Sequence, residues 1–176
     1  MAETIKQDEA TPASYPAAPS GLSAAAAAID PAIVWQRIDA YTARRYAARA
    51  VTWVVEGPGE WVPPLAPATV SATEIWNGAA WEAVTLSPSP LGGYVLPGCG
   101  PYRFTASVGA GTVPAAVNEA YRRLAEYLAS APQPAGVRQE NVEGVGSFEY
   151  DLTGVARAME RSGAGDLLRP YRMAAL

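Results

Sequence analysis

Val70-Ser71-Ala72-Thr73-Glu74-Ile75-Trp76-Asn77-Gly78-Ala79-Ala80-Trp81-Glu82-Ala83-Val84-Thr85-Leu86 is the stretch from which the fold is read. Two runs rich in β-branched and aromatic residues, Val70–Trp76 and Trp81–Leu86, flank Asn77-Gly78. Asn-Gly supplies the positive φ angles that a tight hairpin needs, so the stretch predicts two antiparallel strands. Upstream, Val51, Trp53 and Val55 alternate as on one face of a strand. Downstream, Tyr94–Leu96 and Tyr102–Val108 complete a small antiparallel sheet, with Tyr102, Phe104, Ala106 and Val108 on one face. The proline and glycine content of Glu56-Gly57-Pro58-Gly59-Glu60-Trp61-Val62-Pro63-Pro64-Leu65 predicts a loop carrying one large aromatic. The β-rich middle therefore runs over about 51–108.

Helical signals bracket it. Asp30 followed by Pro31 is a helix start: the carboxylate accepts from a free first-turn N–H, and proline's missing N–H costs nothing there. Val34, Ile38, Tyr41 and Arg45 follow at helical spacing, which predicts a helix over about 30–49. An alanine helix from about Leu22 joins or leads into it, and Arg44, Arg45 and Arg49 favour its negative C-terminal end. A second helix, over about 113–129, has Pro114 in its first turn and a stripe of Val117, Tyr121, Leu124 and Leu128. Ser147–Tyr150 reads as extended, and Thr153 as the cap of a short helix ending at Gly163-Ala164-Gly165. Residues 1–22, with no apolar periodicity, read as an extended arm. The expectation is an α+β chain: arm 1–22, a domain over 23–162 consisting of a small helical bundle with an inserted antiparallel sheet, and a C-terminal docking tail over 163–176.

Composition narrows the function. The 176 residues are 49% hydrophobic but only 17% charged, with 16 Gly and 16 Pro, as for a compact centre with much irregular chain. A net charge of −4 argues against gripping nucleic acid by its phosphates. A single cysteine, Cys99, rules out an intrachain disulfide and fits a reducing compartment. No run of about 18 apolar residues predicts a membrane span. Met1–Glu9 lacks the basic-then-apolar order of a secretion signal, so synthesis in the cytoplasm is expected.

Catalytic chemistry finds little to use. Without histidine, neither a Ser-His-Asp nor a Cys-His arrangement is possible, and one Cys cannot build a zinc site. Cys99, within Pro97-Gly98-Cys99-Gly100-Pro101, reads as a small residue in a tight connection. Gly109-Ala110-Gly111 lacks a phosphate-loop lysine, and Pro58 removes an amide donor from Gly57-Pro58-Gly59. The acid pairs Glu56/Glu60 and Glu140/Glu143 fall in or beside predicted loops. No catalytic residue, cofactor or metal is expected.

What remains suits docking. Trp61, Trp76 and Trp81, in a loop or beside the hairpin turn, are candidate interface aromatics, with domain core as the alternative. Leu167, Leu168, Tyr171, Met173 and Leu176, interleaved with Arg169, Pro170 and Arg172, are too apolar to stand in water. They either pack back on the domain or enter a partner.

The first helix with Arg44, Arg45 and Arg49, the β insertion, the helix opening Val113-Pro114-Ala115-Ala116-Val117, and the end Leu167-Leu168-Arg169-Pro170-Tyr171-Arg172 resemble the head–tail connector (adaptor) proteins of long-tailed bacteriophages. Trp53-Val54-Val55-Glu56-Gly57-Pro58-Gly59-Glu60-Trp61 and Ser89-Pro90-Leu91-Gly92-Gly93-Tyr94 are more similar to adaptors of phage-like gene transfer agents and related phages of alphaproteobacteria. The resemblance covers about residues 30–172. It implies a non-enzymatic virion protein, made in the bacterial host, that forms a ring expected at twelve copies beneath the portal protein. Such a ring extends the DNA channel, contacts passing DNA without sequence preference, and presents a surface to the next neck or stopper protein. By position, Leu167–Arg172, with Met173 and Leu176, would dock on the portal, and the helices over 31–49 and 113–129 would form the ring body. The low basicity and the large β middle depart from the mostly helical members. A stopper or tail-completion protein is the neighbouring alternative. A small β-rich module binding carbohydrate or peptide through Trp61, Trp76 and Trp81 is the distant one, and an enzyme using loop acids is more distant still.

Overall fold

The structure is a computed structural model, described over residues 2–130, 139–142, 146–149 and 157–173. The chain forms two compact units: a β unit from residues 1–16, 43–112 and 173–176, and a helical unit from residues 17–42 and 113–172. Helices and antiparallel sheets together make the α+β class read from the sequence.

The β unit is built on a five-stranded antiparallel sheet. In chain order its strands are β1 (Glu3–Glu9), β2 (Arg49–Glu56), β4 (Ala68–Trp76), β5 (Trp81–Ala83) and β8 (Tyr102–Val108), arranged β1-β2-β8-β4-β5. A smaller sheet, ordered β3-β7-β6, joins β3 (Gly59–Trp61), β6 (Ser87–Pro88) and β7 (Tyr94–Leu96). Alternation does its expected work on β2 and β8. Val51, Trp53 and Val55, with Tyr102, Phe104, Ala106 and Val108, are buried on one face. Trp61 and Leu96 of the smaller sheet enter the same core, as do Leu65 and Leu86. Trp61 stacks on Phe104 at 4.1 Å between ring centroids and meets the edge of Trp53 at 5.6 Å.

Two expectations change here. The segment over 56–65 is not all loop, because Gly59–Trp61 pairs with β7. Tyr94–Leu96 consequently lies in the smaller sheet, not the larger one. Gly93 permits this arrangement: a Cβ there would sit 2.0 Å from the Trp61 carbonyl oxygen. The hairpin is where the sequence puts it, with Asn77–Ala80 connecting Trp76 to Trp81. Gly78 takes φ +99°, and Asn77 Oδ1 accepts from the N–H groups of Ala79 and Ala80, closing the turn by its side chain.

The helical unit comprises α1 (Ala24–Ala27), α2 (Pro31–Thr42), α3 (Ala115–Ser130), a hairpin of β9 (Gln139–Val142) and β10 (Gly146–Glu149), α4 (Ala158–Arg161), α5 (Ala164–Leu168) and a 3-10 turn (Arg169–Tyr171). Asp30 Oδ1 accepts from the N–H of Ala32, as a cap should. Val34, Trp35 and Ile38 of α2, Val117, Tyr121 and Leu124 of α3, and Leu168 of α5 are buried. The rings of Trp35 and Tyr121 meet at 5.0 Å.

The first helix stops seven residues short of the expected 49. Ala43 adopts φ +55° and the Thr42 hydroxyl donates back to the Ile38 carbonyl, ending the helix there. Arg44 bridges to Ala66 and Arg49 opens β2, so both lie beyond the helix rather than in its last turn. The short helix ends at Arg161 as expected, and Gly163, with φ +70°, turns the chain from α4 into a further helix, α5. Thr153, the expected cap, and Glu143 lie outside the described residues, as does Leu176.

Candidate docking surfaces

Three surfaces collect the side chains that docking would use. The first is the outer face of the large sheet at the β4–β5 hairpin. Trp76 and Trp81 are directly opposite in register, with ring centroids 5.4 Å apart. Arg103 lies 4.6 Å over the Trp81 ring while gripping Glu74 through two hydrogen bonds of 2.6 and 2.8 Å. The Arg103 bond holds the Glu74 carboxyl below its ordinary pKa, against a smaller opposing effect of burial. Trp76 remains 37% exposed. Trp61 does not belong with them. It is 4% exposed, because its strand turns it into the core, so the proposed interface aromatic is a core residue.

The second surface is the C-terminal segment. Leu168 is fully buried and Leu167 partly so, whereas Arg169, Pro170 and Arg172 are exposed and Tyr171 and Met173 are intermediate. The run is thus split: Leu168 packs back, and the residues after it stay on the surface. Arg172 sits 5.0 Å over the Tyr41 ring, and the Tyr41 hydroxyl donates to the Gly165 carbonyl at 3.3 Å, fastening the segment to α2.

The third surface was missed in sequence. The stretch read as an extended arm contains β1, paired along β2 from Glu3↔Glu56 to Glu9↔Val51. Its register shifts at Ile5, which is 56% exposed. That bulge puts Thr4 on the same face as Gln7 and Glu9. Thr4 Oγ1 accepts from the Trp61 indole N–H at 2.9 Å, and Gln7 Oε1 accepts from that of Trp53 at 2.8 Å. Glu9 receives Arg45 through two bonds of 2.5 and 2.8 Å, and Arg49 at 3.0 Å. The Arg45 hydrogen bond is the largest influence on Glu9 and holds its pKa below the ordinary value, although burial opposes it.

On α3, Arg122 and Arg123 both bind Glu119, which they keep ionised to lower pH than an isolated carboxyl. Glu126 accepts from the Ser23 N–H and hydroxyl at 2.6 and 2.7 Å, tying α1 to α3. Cys99 is exposed in its tight connection. Among the described residues no three or more His, Cys, Asp or Glu side chains converge as metal ligands, and no helix is long and apolar enough to cross a membrane.

No family model and no curated protein matches the sequence. Among solved structures, the fold matches a chain in the neck of an empty gene transfer agent particle computed with C6 symmetry. The TM-score is 0.50 at 17% identity, over 98% of this chain and 97% of that one. It also matches a chain in the neck of a native particle computed with C12 symmetry, at TM-score 0.51 and 17% identity, over the same shares of both chains. At that identity the likeness is one of fold, and it agrees with the resemblance to gene transfer agent adaptors read from the sequence.

Proposed function

We propose that this chain is a structural protein of a virion neck, an adaptor that forms a ring beneath the portal and joins it to the next neck protein. The observation that carries the reading is the fold shared with a neck chain over 98% of this chain and 97% of that one. A ring of identical subunits needs a heterologous interface that closes on itself, and twelve copies is the number the reading adopts. Such a role needs surfaces rather than reacting groups. The outer hairpin aromatics supply an anchor of the kind that dominates interface energetics. The Arg169-Pro170-Tyr171-Arg172 run, exposed at Arg169, Pro170 and Arg172, supplies a basic, proline-stiffened edge for the portal. The DNA passes through the ring without being read.

The test is binding to the cognate portal complex. Cutting the chain after Gly165 is a poor design, because it removes Leu168 from the helical core. Arg169→Glu combined with Tyr171→Ala changes the surface instead. The unmodified chain is expected to co-elute with the portal, and the double variant to lose at least tenfold in affinity while keeping its circular dichroism. An unmodified chain that ignores the portal overturns the adaptor role. Equal binding by both overturns only the assignment of the docking segment.

A further inference from the structure

We propose that the slot holding β1 is a self-recognition site, filled in the assembled ring by the N-terminal strand of a second copy of this chain. The inference rests on the ring reading above. The slot has a built chemical identity. Along the edge of β2 it presents the indole N–H groups of Trp53 and Trp61 and the guanidinium groups of Arg45 and Arg49. Trp53 and Trp61 are buried, and the two arginine side chains are 12% and 7% exposed. The strand that fills the slot matches each of these donors, and a buried donor left unmade is costly, so a strand with mismatched groups is disfavoured there. The occupant must carry acceptors in the order Thr4, Gln7, Glu9, with a bulge between the first two. The N-terminal strand of this chain has that order, whichever copy supplies it.

The strand itself is detachable. It brings no large apolar side chain to the core; Ile5 points away, and Gln7 and Lys6 are exposed. Its hold is a hydrogen-bonded ladder plus polar matching, the mode by which proteins accept an added strand. The core around Trp53, Trp61 and Phe104 draws Ala2 from this end of the chain, just outside the strand. What ties the strand to its own chain is residues 11–22, which form no helix or strand and include Pro12, Pro16 and Pro19. Tyr15 lies under the Arg49 guanidinium and moves with the strand, so the free part of the link is residues 17–22, which at about 3.1 Å per residue spans about 20 Å when extended. Exchange keeps every contact in every slot and turns contacts within a chain into contacts between chains. A head-to-tail exchange of that type also closes naturally in a ring.

Charge reversal separates the two arrangements. A Glu9→Arg chain and an Arg45→Glu/Arg49→Glu chain are each assembled on the portal complex, alone and as an equimolar mixture, and rings are counted by electron microscopy. Alone, each variant meets like charge in every slot and is expected to form at least tenfold fewer rings. Mixed, alternating chains meet opposite charge in every slot, and ring formation is expected to return. A mixture no better than its parts, or variants that assemble unaided, overturns the exchange. Should the variants fold poorly, the ring of otherwise unmodified chains is read with a photo-crosslinking amino acid at Lys6, which lies opposite Val54. Covalent multimers joined at Thr52–Val54 support the proposal, and products confined to monomers overturn it. If the unmodified chain forms no ring on the portal, the ring reading fails and the exchange with it.

Discussion

Glu9 illustrates how much one side chain can order. It lies between Arg45, on the stretch after α2, and Arg49, at the start of β2, and its carboxylate takes hydrogen bonds from both. Bonds to a carboxylate in a half-buried setting are roughly twice as strong as neutral ones. Glu9→Gln is therefore expected to lower unfolding stability by about 1.5–3 kcal/mol at neutral pH. The pH dependence follows from the direction of the shift. Because the folded state holds the Glu9 pKa below 4.5, the stabilisation is complete above that value. It is lost as the pH falls from 4.5 through the lower folded pKa. Urea titrations of the native chain between neutral and acid pH, followed by tryptophan fluorescence, are expected to show this loss. The Glu9→Gln chain should show a smaller one over the same range. Identical pH profiles for the two chains would remove Glu9 from the account.

At the scale of elements, legibility followed periodicity. Strands β2 and β8 were plain because alternation and burial coincide along them, and α3 because its apolar stripe is unbroken. β1 was hidden because a bulge at Ile5 destroys the period-two signal and because its inward groups are Thr4, Gln7 and Glu9, which read as surface. β3 was hidden by the glycine and proline around it, whose pairing needs β7, more than thirty residues away. The same tertiary context decided the tryptophans. Local sequence placed Trp61 beside Trp76 as a loop aromatic, but only the partner strand determines which face it shows. Two alanine substitutions separate these environments. Trp61→Ala is expected to cost about 3–5 kcal/mol and Leu168→Ala about 2–5 kcal/mol, as for large side chains removed from a packed core. Trp76→Ala, on the outer face, should stay within about 1 kcal/mol of the native chain in the same denaturant titration. A Trp76→Ala loss as large as that of Trp61→Ala would mean that the hairpin aromatics hold the fold together instead of standing ready for a partner.

For the whole molecule, the proposed place in a DNA conduit raises the question of what the chain must not do. Duplex DNA attracts any surface with unneutralised arginines, and each phosphate contact adds to a salt-dependent affinity. This chain has a net charge of −4, and five of its arginines are answered by carboxylates within the fold. Arg45 and Arg49 lie on Glu9, Arg103 on Glu74, and Arg122 and Arg123 on Glu119. The sequence alone shows clustered arginines at 44–49 and 122–123, which a motif reading would offer to phosphate; pairing takes that offer away. The carboxylates also do more than balance charge, since a bidentate partner fixes the guanidinium plane and leaves fewer donors pointing outward. A duplex is therefore expected to slide past without being held. In a gel-shift titration at about 150 mM salt, the purified chain should leave a random duplex unretarded at micromolar protein. The Glu74→Gln/Glu119→Gln chain, which frees three arginines while keeping side-chain shape, should retard it, and raising the salt should reverse the retardation. Strong, salt-sensitive binding by the native chain would mean that another basic face holds DNA and that the conduit reading is wrong for this protein.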